Sequence, residues 1–132
     1  MADCIFCKII AGEIPASKVF EDETVVAFLD INPVVAGHTL IIPKQHVATM
    51  ADASNEVIAD VFSKAKKLMV GIKKAMNADF VAVSIVGVDV PHFHVHLIPR
   101  SHDDGLANFW PTKKYGAGEI EALAVKIKSL LF

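Results

Sequence analysis

From His92 to Leu97 histidine alternates strictly with an apolar residue, in the order His92-Phe93-His94-Val95-His96-Leu97, with Ile98 following. Successive side chains of a β-strand point to opposite faces, so this run reads as a strand over 92–98 ended by Pro99. His92, His94 and His96 then share one face, and Phe93, Val95 and Leu97 share the other. The apolar face has to be covered, which calls for a sheet packed on a helix.

The rest of the chain supplies both. Apolar residues recur with helical period from Val57 to Met76, behind Ser54 as N-cap, which predicts a long helix over 54–77. Val19–Glu21 and Val25–Leu29 read as strands around the turn Glu21-Asp22-Glu23. Thr39–Ile42 reads as a strand stopped by Pro43, and Phe80–Val86 as a buried one. Residues 5–11 suit a short helix ending at Gly12. Ile120, Leu123, Ala124, Ile127, Leu130 and Leu131 trace a C-terminal helix. The expected class is α+β, with a mostly antiparallel sheet, one long central helix and a C-terminal helix.

At 132 residues, 53% apolar and 21% charged, the chain suits one domain with a real core. Lys and Arg are scattered and the formal net charge is −2, so no basic stripe marks a DNA or RNA surface. No stretch reaches the roughly 20 apolar residues of a membrane span. Residues 1–12 do not read as a leader, so a cytoplasmic protein is expected, in which Cys4 and Cys7 do not form a structural disulfide. Their C-x-x-C spacing leaves a metal site, a redox pair or inert thiols open.

Same-face positions on a strand lie roughly 6.6–7 Å apart, so His92 and His96 are too distant to share one ion, whereas two neighbours are not. Neutral imidazole is nucleophilic near pH 7 and attacks phosphorus through one nitrogen while the other donates to a carbonyl. A neighbouring histidine can then donate to a phosphate oxygen or protonate the leaving group. A metal-only row and a polar face without function are the competing readings.

The segment His92–Ile98 resembles the H-φ-H-φ-H-φ-φ motif (φ hydrophobic) of the histidine triad, or HIT, family. Further blocks are similar too: Cys4–Pro15, Phe28-Leu-Asp-Ile-Asn-Pro33, Gly37–Lys44 and His46. The resemblance runs from about residue 3 to residue 104, and Phe109–Tyr115 resembles a C-terminal segment of some prokaryotic members. It implies a single HIT domain over 1–132 with a HIT-like fold.

The resemblance further implies that His94 attacks the α-phosphorus of a nucleotide, that His96 contacts the phosphate and leaving group, and that His38 holds the site together. Phe6, Ile9, Phe28, Asp30 and Ile31 match positions lining a nucleoside pocket, with Asp30 on the ribose hydroxyls. For the four apolar residues, a plain core role is the alternative. A structural zinc held by Cys4, Cys7, His46 and His92 is implied, with no metal needed for the chemical step. The expected ligand is a small purine nucleotide and the expected assembly a homodimer. Expected substrates are a phosphoramidate, an adenylate or a dinucleoside polyphosphate; a non-catalytic nucleotide-binding module is the second class.

The chain departs from the family pattern before the triad. Asp89 stands where many members place a phosphate-binding hydroxyl, in a shortened loop whose nearest polar group is Ser84. An ionised carboxylate there repels phosphate unless a cation or proton intervenes. Phe109 and Trp110 suit either a dimer interface or a local core, and Lys113 and Lys114 either a phosphate or solvent.

Overall fold

The computed structural model describes residues 3–106 and 112–131. Five strands form one antiparallel sheet: β1 (Lys18–Glu21), β2 (Val25–Leu29), β3 (Thr39–Pro43), β4 (Phe80–Ser84) and β5 (Val95–Arg100). Their spatial order is β1-β2-β3-β5-β4. Three α-helices accompany them: α1 (Ile5–Ile10), α2 (Asn55–Ala75) and α3 (Glu119–Leu130), with a 3₁₀ turn at Met50–Asp52.

The long helix forms where its period places it. Ser54 caps it, its hydroxyl accepting from the Val57 amide at 3.2 Å. Val61 and Ala65 are buried on its inner face, where they pack with Val25, Ala27, Ile41, Phe93, Val95 and Leu97. This cluster fills one side of the sheet. On the other, Phe6 and Ile9 of α1 pack with Val26, Phe28, Leu40 and Ile42. Alternation along β2 and β3 thus serves two apolar layers, which explains why both strands read as continuous hydrophobic runs.

The histidine run departs from the expected strand. Only 95–100 joins the ladder, because the backbone of 92–94 is engaged elsewhere. The His92 amide donates to Val90 O at 2.8 Å, and the Phe93 amide to Val47 O at 2.7 Å. The side chains still alternate, with Phe93 packed among the residues under α2 and His92 and His94 against Phe6. Pro99 does not end the strand. It lies past the β3 ladder, which engages only Val95–Leu97, so its missing N–H leaves no ladder bond unmade on that side. Pro43 likewise lies within β3, as its last residue.

β4 stops at Ser84, two residues short of the expected end, because Ser84↔His96 is its last pair with β5. The C-terminal helix forms as its period requires, yet none of its residues is buried. Phe109 and Trp110 lie outside the described residues, and Lys113 and Lys114 are exposed. Among the described residues, no helix is long and apolar enough to cross a membrane.

Candidate functional site

Two clusters of histidines meet at residues 92–96. The first joins the N-terminus to the end of β3. Cys4 is buried just before α1, and its sulfur accepts from the Cys7 amide at 3.3 Å, capping that helix. Cys4 Sγ lies 3.4 Å from His92 Nδ1, and Cys7 Sγ lies 3.2 Å from His46 Nδ1 and 3.6 Å from His92 Nδ1. The Nδ1 atoms of His46 and His92 are 3.2 Å apart. A zinc tetrahedron with Zn–S of about 2.3 Å and Zn–N of about 2.0 Å has edges on the order of 3.3–3.8 Å, so these spacings suit that ion.

The ring orientations agree with that donor set. His92 Nε2 donates to the Pro43 carbonyl at 2.8 Å, which leaves Nδ1 as the lone-pair nitrogen facing the two sulfurs. Burial, before any other influence, pushes the His92 imidazole below its ordinary pKa, so its neutral, metal-binding form is favoured. Burial raises the Cys7 thiol, and the adjacent Cys4 raises it further. A cation among these donors would reverse the penalty on the thiolates.

The second cluster is a hydrogen-bonded chain that sets protons. The Val34 amide donates to His38 Nδ1 at 3.1 Å, so the neutral His38 ring carries its proton on Nε2. That nitrogen lies 2.9 Å from His96 Nδ1, which must therefore accept. Neutral His96 is left with its proton on Nε2, a donor. Separately, His94 Nδ1 donates to the His92 carbonyl at 2.6 Å, leaving Nε2 with a lone pair. The result is one imidazole prepared to attack and a neighbour prepared to donate, with ring centroids 5.0 Å apart.

Burial lowers the pKa of both His38 and His96. For His38 the Asp30 carboxylate opposes the shift, its Oδ2 lying 3.6 Å from Nε2. For His96 the neighbouring His94 and His38 add to it, while Asp30 and Asp89 oppose. Asp30, His38 and His96 also bring three potential ligand atoms close together. Because both ring nitrogens of His38 are committed to hydrogen bonds, that group reads as a proton-ordering chain and not as a second metal centre.

The remaining predicted residues divide. Phe6 meets His94 edge-on at 5.1 Å and Phe28 at 5.5 Å between centroids, and Ile9 is buried beside them. Asp30 Oδ1 accepts from the Asn32 amide at 2.8 Å. Ile31 is 88% exposed, so it belongs to no core in this chain. Ser84 faces His96 across the β4–β5 ladder, and Asp89 is exposed within electrostatic reach of His96. Val34, whose amide orients His38, is not legible in the sequence, since a backbone donor leaves no mark in the residue type.

The HIT-domain family model matches residues 11–103. Protein hit of Bacillus subtilis is 41% identical over 120 residues, covering 83% of this chain and 80% of that protein. Adenosine 5′-monophosphoramidase HNT1 of Saccharomyces cerevisiae is 44% identical over 119 residues, covering 86% and 73% respectively. Among solved structures, a Zn-bound histidine triad family protein from Mycobacterium smegmatis superimposes with a TM-score of 0.76 at 29% identity, over 97% of each chain. The match spans most of the chain and includes the three histidines of the triad, and the chain belongs to the histidine triad (HIT) family.

Proposed function

We propose that this chain, as one domain spanning 1–132, is a nucleotide phosphorus-bond hydrolase or transferase acting through a nucleotidyl adduct on His94. The observation that carries the reading is the pair of opposite tautomers. His94 keeps its Nε2 lone pair because Nδ1 donates to the His92 carbonyl, and His96 keeps its Nε2 proton because Nδ1 accepts from His38. The lone pair of His94 Nε2 forms a bond to the α-phosphorus as the bond to the leaving group breaks. The leaving atom takes the Nε2 proton of His96. Water then attacks phosphorus from solvent, His96 takes its proton, and the P–N bond to His94 breaks. Phosphate in place of water makes the same chain a transferase. The activity named for the yeast relative, on an adenosine 5′-phosphoramidate, agrees with this scheme.

Phe6, Ile9 and Phe28 supply an apolar surface for a purine next to His94, and Ile31 is free to cover it. Asp30 uses one oxygen on the Asn32 amide, and its remaining lone pairs suit ribose hydroxyls. Ser84, opposite His96, is the hydroxyl nearest the phosphate in this scheme. Cys4, Cys7, His46 and His92 hold a structural zinc whose four positions are filled by protein, so the chemical step rests on the histidines. A reducing cytoplasm keeps those thiols available. The uncovered apolar residues of α3 support a homodimer.

The exposed Asp89 favours a second reading, a nucleotide-binding module without turnover, since its charge opposes phosphate. Incubation with an adenosine phosphoramidate separates the two. AMP release by wild type, abolished in His94→Ala, is expected. Equal release by both proteins overturns the covalent scheme, and tight AMP binding without release establishes the module.

A further inference from the structure

His38 is held by its backbone as well as by its ring. Its amide donates to Val35 O at 3.1 Å, and its carbonyl accepts from the Asp30 amide at 2.9 Å. The Gly37 carbonyl lies in the same rigid plane as the His38 amide, across one peptide bond. That carbonyl accepts the hydroxyl of Thr39 at 2.9 Å. The hydroxyl therefore reaches back past His38 and ties the second end of the plane from which the ring departs.

Position 37 has no side chain with which to fix itself. Gly37 has a φ of +90°, and a Cβ there would stand 2.7 Å from Met76 Cγ, 2.9 Å from Met76 Sδ and 3.2 Å from Pro99 Cγ. The end of α2 and Pro99 of β5 thus demand a glycine, which leaves this peptide to be set by its hydrogen bonds.

Thr39 is an unexpected residue for its place. It is 1% exposed, at the head of a strand that continues with Leu40, Ile41 and Ile42, and it pairs with Leu29 on one side and Leu97 on the other. Valine would fill the same space with no polar atom to bury. A buried hydroxyl costs free energy unless it is bonded, and here the bond goes to Gly37. By strand alternation Thr39 lies with Ile41 on the side of α2, and it lines one groove with Leu68 and Ile72 of that helix. His94 packs on Phe6, on the other side of the sheet.

We propose that Thr39 is a positioning residue for His38. Its hydroxyl fixes the Gly37–His38 peptide plane, so that Nδ1 of the ring meets the Val34 amide and Nε2 meets His96. The catalytic consequence rests on the roles given above to His94 and His96, whereas the tautomer of His38 is a property of the fold alone. Without the hydroxyl the plane is free to tilt, and the bond from Val34 weakens. The proton of neutral His38 is then no longer confined to Nε2, and His96 loses the donor that keeps its own proton on Nε2.

Thr39→Val and Thr39→Ser separate the hydroxyl from the volume. Valine keeps the bulk and drops the hydroxyl; serine keeps the hydroxyl and drops a methyl. In AMP release from an adenosine phosphoramidate, Thr39→Val is expected to lower kcat by about tenfold with KM little changed, less than the roughly 100-fold that a misplacement of about 1 Å can cost. Thr39→Ser is expected to stay close to wild type. The nitrogen NMR shifts of the His38 ring supply a readout that lost packing alone does not move. Wild type and Thr39→Ser should show one protonated and one bare nitrogen, and Thr39→Val averaged values. Either an unchanged kcat or unchanged ring shifts in Thr39→Val overturns the proposal, and so does a Thr39→Ser protein that loses as much activity as Thr39→Val. One observation needs no variant to fold: in wild type the Thr39 hydroxyl proton is expected to exchange slowly enough to give its own resonance, and rapid exchange overturns the proposal. Averaged His38 shifts in Thr39→Val, with no AMP release by wild type, refute the covalent scheme alone and leave the positioning role standing.

Discussion

His38 Nε2 lies 2.9 Å from His96 Nδ1, and the direction of that bond is fixed by the Val34 amide on the far side of the His38 ring. A backbone group thus decides which nitrogen of a side chain two bonds away carries a proton. His38→Phe removes this ordering while keeping an aromatic plate. Steady-state AMP release from an adenosine phosphoramidate is expected to fall by about 10- to 100-fold, less than the roughly 10²- to 10⁴-fold of a lost general acid because His96 itself remains. A second readout is the pH–rate profile, whose limb assigned to His96 is expected to move. An unchanged rate and profile in His38→Phe argue against the chain of tautomers.

Stability should depend on pH in one direction. Burial, the largest cause in each case, holds His38 and His96 below the ordinary imidazole pKa of about 6.5. The unfolded chain takes up protons near that value, and the folded chain only at lower pH. Their contribution is therefore complete above about pH 6.5 and declines as pH falls toward the folded values. Thermal melting at pH 7.5 and 5.5 should give the lower Tm at 5.5; equal midpoints would contradict the burial argument.

Protein purified without added zinc is expected to carry one zinc per chain, measured by elemental analysis. Cys4→Ser should lose it. The same substitution also weakens the sulfur that caps α1, so the N-terminal segment should become the most protease-sensitive part of the variant. Stoichiometric zinc retained by Cys4→Ser would remove that residue from the ligand set.

Phe6 is 7% exposed and stands edge-on to Phe28, His92 and His94. Phe6→Ala is expected to cost about 3–5 kcal/mol in denaturant unfolding, the usual range for emptying a buried phenyl site. Phe6→Leu should recover much of the stability. It should recover less of the AMP affinity if the ring contacts the base.

Asp89→Ser removes a carboxylate from the surroundings of His96. The expected result is a lower KM for the phosphoramidate and a weaker dependence of kcat/KM on salt, since an exposed repulsion is screened by ions. A KM that rises in Asp89→Ser would show that the carboxylate contacts substrate favourably.

Much of this arrangement is legible in the residues because side-chain period reports facing. The alternation at 92–97 tells which side chains look toward α2 and which toward Phe6, and Ser54 with the pattern behind it marks the start of α2. What period does not report is where hydrogen bonds go. Over 92–94 the amides of His92 and Phe93 turn to Val90 and Val47, and the His92 carbonyl turns to a ring, so a correct pattern overstates the strand. The same reason hides the roles of the Val34 amide and the Pro43 carbonyl. Proline is misread at position 99 for a different cause: the cost of a missing N–H depends on which neighbour stands beside it, and β3 has already ended there.

His92 takes part in both clusters with different ends of the same residue. Its ring faces Cys4, Cys7 and His46, while its carbonyl oxygen holds the His94 ring. The Cα between them gives the two clusters a common pivot. A rotation of that residue large enough to accommodate oxidised sulfurs would carry the carbonyl away from His94 Nδ1 and free that ring to flip. A displacement of the His92 backbone would therefore reach His94 as a loss of alignment and not of any reacting group.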